Sequence, residues 1–134
     1  MKSKNVLFLC TGNSCRSQMA EGWARQLLAG VIHPHSAGVD PQGLDQRAVR
    51  VMREAGVYIS RQASKSLDDL PDLEFDAVVT LCDQAKESCP FFPGTAKRLH
   101  RSFEDPAVFA RDAIDEARAL QPYRRVRDEI REFV

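Results

Sequence analysis

Cys10 and Arg16 stand at the two ends of the stretch Cys-Thr-Gly-Asn-Ser-Cys-Arg, which follows an apolar run and leads into a helical pattern. Between them Thr11, Gly12, Asn13, Ser14 and Cys15 are small, and Gly12 and Asn13 are types that tolerate positive φ. Such a loop can curl tightly and turn successive backbone N–H groups inward as an anion nest. A helix starting directly afterwards adds its positive end. Arg16 can place a bidentate fork on a tetrahedral oxyanion. Cys10 then lies at the base of a positive field, which lowers a free thiol from about 8.5 by roughly one to several units. This is the chemistry of a thiolate beneath a bound oxyanion, set for in-line attack, with Ser17 placed to donate a hydrogen bond to the sulfur. Cysteine and arginine six positions apart recur by chance; placement between a strand and a helix gives the pair meaning. The nucleotide-binding pattern Gly-x4-Gly-Lys-Ser/Thr is absent.

Proton transfer needs a further group. Glu104-Asp105-Pro106 offers one, because Pro106 confines Asp105 to extended conformations and so fixes its direction. The same dipeptide is also what a helix N-cap followed by proline at the first helical position looks like. Of the four cysteines, Cys10-x4-Cys15 and Cys82-x6-Cys89 lack the spacing of a zinc ribbon, and His33, His35 and His100 complete no zinc pattern. Cysteine is often simply a small buried hydrophobe, which is the reading preferred for Cys15. Met19 and Trp23 read as core.

The elements that must position these groups alternate between strand and helix. Asn5–Leu9 and Phe75–Leu81 are apolar runs that predict buried parallel strands, with weaker strands at Val31–Ser36 and Lys97–His100. Helical spacing covers Ser17–Ala29, with a stop at Gly30, and Leu44–Ala55, with a stop at Gly56. Ser66–Leu70 reads as a short helix. Tyr123, Val126, Ile130 and Phe133 form an apolar stripe on a C-terminal helix, and Pro122 predicts that Asp112–Leu120 is a separate piece. Alternation of this kind implies a parallel sheet with helices on both faces. Ligands in such folds bind at the carboxyl ends of the strands, the rim on which Cys10, Cys82 and Asp105 all fall.

The chain has 134 residues and an apolar fraction of 43%, enough for one domain, residues 1–134, with one core. Formal net charge is zero, so neither nucleic acid nor an anionic membrane is an expected partner, and any anion site must be local. The apolar run after Met1–Asn5 is too short for a secretion signal, and no stretch approaches a membrane span. A cytoplasmic protein is expected, where structural disulfides are disfavoured.

The stretch CTGNSCRS, SAG at Ser36–Gly38 and DP at Asp105–Pro106 resemble the low-molecular-weight protein tyrosine phosphatase fold over nearly the whole chain. The resemblance implies a nucleophile at Cys10, an oxyanion-binding arginine at Arg16 and a general acid at Asp105. The segment VTLCDQAKESCPFFPG is further similar to the thioredoxin-coupled arsenate reductases on that scaffold, with Cys10, Cys82 and Cys89 matching their redox relay and CP-x-x-PG matching at Cys89–Gly94. What this implies is reduction of arsenate, with phosphate or sulfate as mimics, through a Cys10–Cys82 and then a Cys82–Cys89 disulfide that thioredoxin reduces. Glutaredoxin or another thiol is the alternative reductant. Residues 83–92 would then partly unfold or loop out on oxidation.

Weak phosphatase activity is expected from the shared loop. A low-molecular-weight tyrosine phosphatase is the alternative enzyme, although Ala107-Val108-Phe109 stands where such enzymes often carry tyrosines. A redox sensor or interaction module is the non-enzyme alternative. Some reductases of this family also hold a potassium ion beside the loop. The matching Asn13, Glu21 and Ser36 fit, but Ala63 and Lys65 replace a threonine and an aspartate. The expectation is no tightly bound cofactor, with the Lys65 ammonium paired to Glu21 in place of the ion; the alternative is a solvated surface lysine.

Overall fold

The computed structural model describes residues 4–70, 74–82 and 97–134. Cys89, the CP-x-x-PG tail and the segment 83–92 lie outside the described residues. Four parallel strands form one sheet in the order β2-β1-β3-β4, where β1 is Lys4–Cys10, β2 Ile32–Gly38, β3 Ala77–Thr80 and β4 Lys97–His100. The helices are α1 (Arg16–Leu27), α2 (Gln46–Glu54), α3 (Pro106–Ala110) and α4 (Glu116–Phe133), with a 3-10 turn at Leu67–Asp69. This is the α/β architecture that the alternating pattern predicts.

The sheet is central because its middle strands are apolar on both sides. Phe8 and Val79 join the larger core with Met19, Trp23, Val51, Met52, Tyr123, Val126 and Ile130 from α1, α2 and α4. Leu7, Leu9 and Val78 alternate to the opposite face and pack with Ala37, Cys10 and Cys82, flanked by Leu70 and Phe75. β4 is exposed throughout and begins with lysine and arginine, the usual protection of an edge strand. Phe75 lies outside β3, which is shorter than the apolar run, and its ring meets His35 edge-on.

One expectation about the C-terminal third changes. α4 does not break: Pro122 lies within a continuous helix that begins after the Asp115 cap. The proline removes only the bond to the Arg118 carbonyl, while buried Ala119, Leu120, Tyr123, Val126 and Ile130 hold both halves against one core. The segment before it contains α3, capped by Asp105 with Pro106 at its first position.

Candidate active site

The loop after β1 is shaped from outside. Val39 N–H donates to Cys10 O, Asp40 N–H to Thr11 O, Gln42 N–H to Gly12 O and Asp45 N–H to Ser14 O, at 3.3, 2.8, 2.8 and 3.0 Å. Gln18 Nε2 donates to Asn13 O at 3.0 Å. With five consecutive carbonyls held from outside, the loop's N–H groups are left to face the concave side, as an anion nest requires. Asn13 alone among the described non-glycine residues takes positive φ, at 46°. Gly12 does not; it is small because a Cβ there would lie 2.8 Å from Gln42 Cγ. α1 starts directly after Cys15, and no side chain caps it, so its first N–H groups add to the nest.

Arg16 and Asp105 close the other side of a cavity of ≈ 170 Å³ whose lining also includes Cys10, Thr11, Gly12, Ser14, Cys15 and Gln42. Arg16 Nη1 donates to Phe103 O at 2.9 Å, and its Nη2 lies 3.9 Å from Asp105 Oδ2. Asp105 Oδ1 accepts from Ala107 N–H at 3.0 Å. Asp105 therefore caps α3 with one oxygen and presents the other toward the arginine, so the two sequence readings of Asp-Pro hold together.

The register Leu9 to Thr80 sends Cys10 and Cys82 out of neighbouring strands. Both are buried and free and pack in one cluster, and Thr11 Oγ1 lies 3.1 Å from Cys82 Sγ. The expected lowering of the Cys10 thiol is reversed. The hydrogen bond with Cys82 and then burial push it up, against the opposing pull of Arg16 and the Thr11 N–H. A thiol partner 72 positions away in the chain and burial together oppose the local positive field. Cys15 is fully buried in the larger core, and burial also pushes its thiol up, as a structural cysteine requires. Ser17 is engaged by Asn13, whose Nδ2 donates to its Oγ at 2.9 Å.

A buried polar layer lies beneath the loop. Asn13 Oδ1 accepts from Lys65 N–H at 2.8 Å and Gln18 Nε2 at 3.0 Å. Glu21 Oε1 accepts from Ser36 Oγ at 2.6 Å, and Glu21 Oε2 accepts from Arg25 Nη2 at 2.7 Å. Lys65 Nζ lies 3.7 Å from Glu21 Oε1 and donates to Ala63 O at 3.2 Å. Asn13, Glu21, Ser36 and Lys65 are thus brought together. The sequence reading missed Gln18, which is fully buried, and Gln42. Neither has a local signal, since glutamine on a helix or in a loop ordinarily faces water.

A family model described as low molecular weight phosphotyrosine protein phosphatase matches residues 5–134. The chain is 48% identical to an arsenate reductase of Bacillus licheniformis over 136 aligned positions, covering 100% of this chain and 94% of the relative. Among solved structures it is similar to an arsenate reductase in its phosphate binding state, at 32% identity and TM-score 0.73, covering 97% of this chain and 92% of the other. It is similar too to a low molecular weight protein tyrosine phosphatase of T. tengcongensis, at 30% identity and TM-score 0.71, covering 97% and 94%. A match running from β1 through α4, over a loop built in this way, leaves one conclusion: the chain belongs to the low molecular weight phosphotyrosine protein phosphatase family.

Proposed function

We propose that this protein is an arsenate reductase acting as one catalytic domain, residues 1–134, with Cys10, Cys82 and Cys89 as a thiol relay and thioredoxin as reductant. The loop from Cys10 to Ser17 holds the tetrahedral anion, with Arg16 on its oxygens. Cys10 passes its thiol proton to an arsenate oxygen and its sulfur bonds to arsenic, while one hydroxyl leaves as water after taking a proton from Asp105. Cys82 sulfur then attacks Cys10 sulfur. The sulfur–arsenic bond breaks, its electron pair stays on arsenic, and arsenite leaves. Cys89 attacks Cys82 and frees Cys10, and the external dithiol reduces the Cys82–Cys89 bond. Three thiols that must stay reduced suit the cytoplasm; no helix among the described residues is long and apolar enough to cross a membrane.

The observation that carries this reading over a plain phosphatase is the second thiol: Cys82 packs in one buried cluster with Cys10, and Thr11 of the loop lies 3.1 Å from its sulfur. An ester-cleaving enzyme needs one sulfur there. The phosphatase reading is favoured by the T. tengcongensis neighbour, and slow hydrolysis of aryl phosphates is expected as a side reaction of the shared loop. The deciding assay follows arsenite with thioredoxin, thioredoxin reductase and NADPH in wild type and in Cys10→Ser, Cys82→Ser and Cys89→Ser. All three variants are expected to lose multiple turnover, with Cys89→Ser keeping a single one. Undiminished turnover in Cys82→Ser would overturn the relay, and no arsenite from wild type would leave a phosphatase.

We further propose that this chain needs no potassium beneath the loop. The Lys65 ammonium sits against Glu21 and the Ala63 carbonyl, taking oxygens that could face a cation and repelling one by its own charge.

A further inference from the structure

We infer that Arg125, on α4, is a positioning residue for Asp105. The inference rests on the reading of Asp105 as the acid and adds what holds it in place. α3 has five residues, too few to be stable as an isolated helix. Its ends are anchored by burial of Phe103 before it and of Pro106 and Ala110 within it. Arg16 holds the cavity side of this segment, and on the other side Arg125 spans the turn. Arg125 Nη2 lies 2.6 Å from Glu104 Oε2, and the guanidinium carbon stands 5.3 Å from the centre of the Phe109 ring. Arg125 thus grips the residue just before Asp105 and the one four after it. The grip comes from a rigid support, because Tyr123 and Val126 on either side of Arg125 are buried in the core.

Glu104, Phe109 and Arg125 are all outside the cavity lining. Arg125 and Glu104 are about half exposed, where an ion pair adds little to stability. A proton donor, by contrast, must lie within hydrogen-bond reach of the departing oxygen, and small misplacements cost rate. The contact should therefore show in the chemical step and not in melting.

The test mixes reduced full-length protein with arsenate and follows the loss of a thiol pair in a single turnover. Inorganic phosphate affinity and melting temperature are measured beside it. Arg125→Ala is expected to slow the step by roughly 3- to 10-fold, with phosphate affinity and melting temperature unchanged. Glu104→Gln should slow it in the same direction, and Arg125→Lys should recover part of the rate by keeping both a charge for Glu104 and a cation for Phe109. A wild-type rate in Arg125→Ala alongside a slowed Asp105→Asn overturns the inference. So does a rate loss matched by weaker phosphate binding or lower melting. If Asp105→Asn itself reacts at the wild-type rate, the acid reading falls first. If wild type consumes no thiols, the reductase reading falls.

Discussion

Lys65, in the proposed reading, stands in for a bound potassium ion. Its ammonium is about three-quarters buried against a carboxylate that is nearly fully buried, and Glu21 also receives Arg25 and Ser36. Wild-type melting is expected to be the same in potassium and sodium at matched ionic strength. Lys65→Ala should cost about 1–3 kcal/mol, below the full cost of breaking a buried pair because Arg25 and Ser36 remain, and potassium should restore part of it. Specific stabilisation of wild type by potassium would defeat the proposal. The residues legible in the sequence are those whose chemistry is local. Cys10 to Arg16 form one loop, and Asp105 is marked by the proline beside it. The Cys10–Cys82 and Thr11–Cys82 contacts join residues more than 70 positions apart. No spacing rule anticipates them, so the local field around Cys10 leaves out the distant groups that oppose it.

β2 shows how an element can matter through one missing atom. SAG at Ser36–Gly38 was recognisable only as a likeness; its physical reason appears in the fold. β2 runs beside β1 to the register Cys10 to Gly38, so the anion loop turns directly over Gly38. A Cβ there would sit 2.7 Å from Asn13 N, 2.7 Å from Thr11 O and 2.9 Å from Gly12 C. All are backbone atoms with no side-chain freedom to yield. Gly38→Ala should destabilise by about 1–3 kcal/mol, and it should weaken inorganic phosphate binding because the N–H groups are displaced along with the loop. Calorimetric titration with phosphate, below the melting transition, checks it; unchanged affinity would show that the strain relaxes elsewhere. Strand and helix identities were readable from periodicity, while boundaries and the fate of Pro122 were not. Whether a proline interrupts a helix depends on how much the far half can bury, which is decided by the core and not by the local sequence.

Across the whole molecule, the anion loop is tied to the C-terminal helix by one buried phenol. Tyr123 O–H donates to Asp45 Oδ2 at 2.7 Å. Asp45 Oδ1 caps α2 by accepting from Arg47 and Ala48 N–H, and its own N–H holds the Ser14 carbonyl. A four-stranded parallel sheet could be read from alternating elements, but this link could not, because the apolar stripe presents Tyr123 only as a core residue. Burial, then the bond to Asp45 and its charge, push the phenol above its ordinary value. The folded protein therefore keeps a proton that the unfolded chain releases near pH 10. The sign follows from linkage: the contribution is complete below about pH 10 and is lost as pH rises toward the folded value. The raised Cys10 and Cys15 thiols act in the same direction from about pH 8.5 upward. Urea midpoints of the reduced protein should therefore fall from about pH 8.5 and more steeply above about pH 10. Tyr123→Phe should lower stability at neutral pH by about 1–3 kcal/mol, since Asp45 loses a buried donor, and should flatten only the part of the curve above about pH 10. Parallel curves for wild type and variant in that range would mean that the phenol does not carry the alkaline loss, and that the tie between α4 and the anion loop is packing alone.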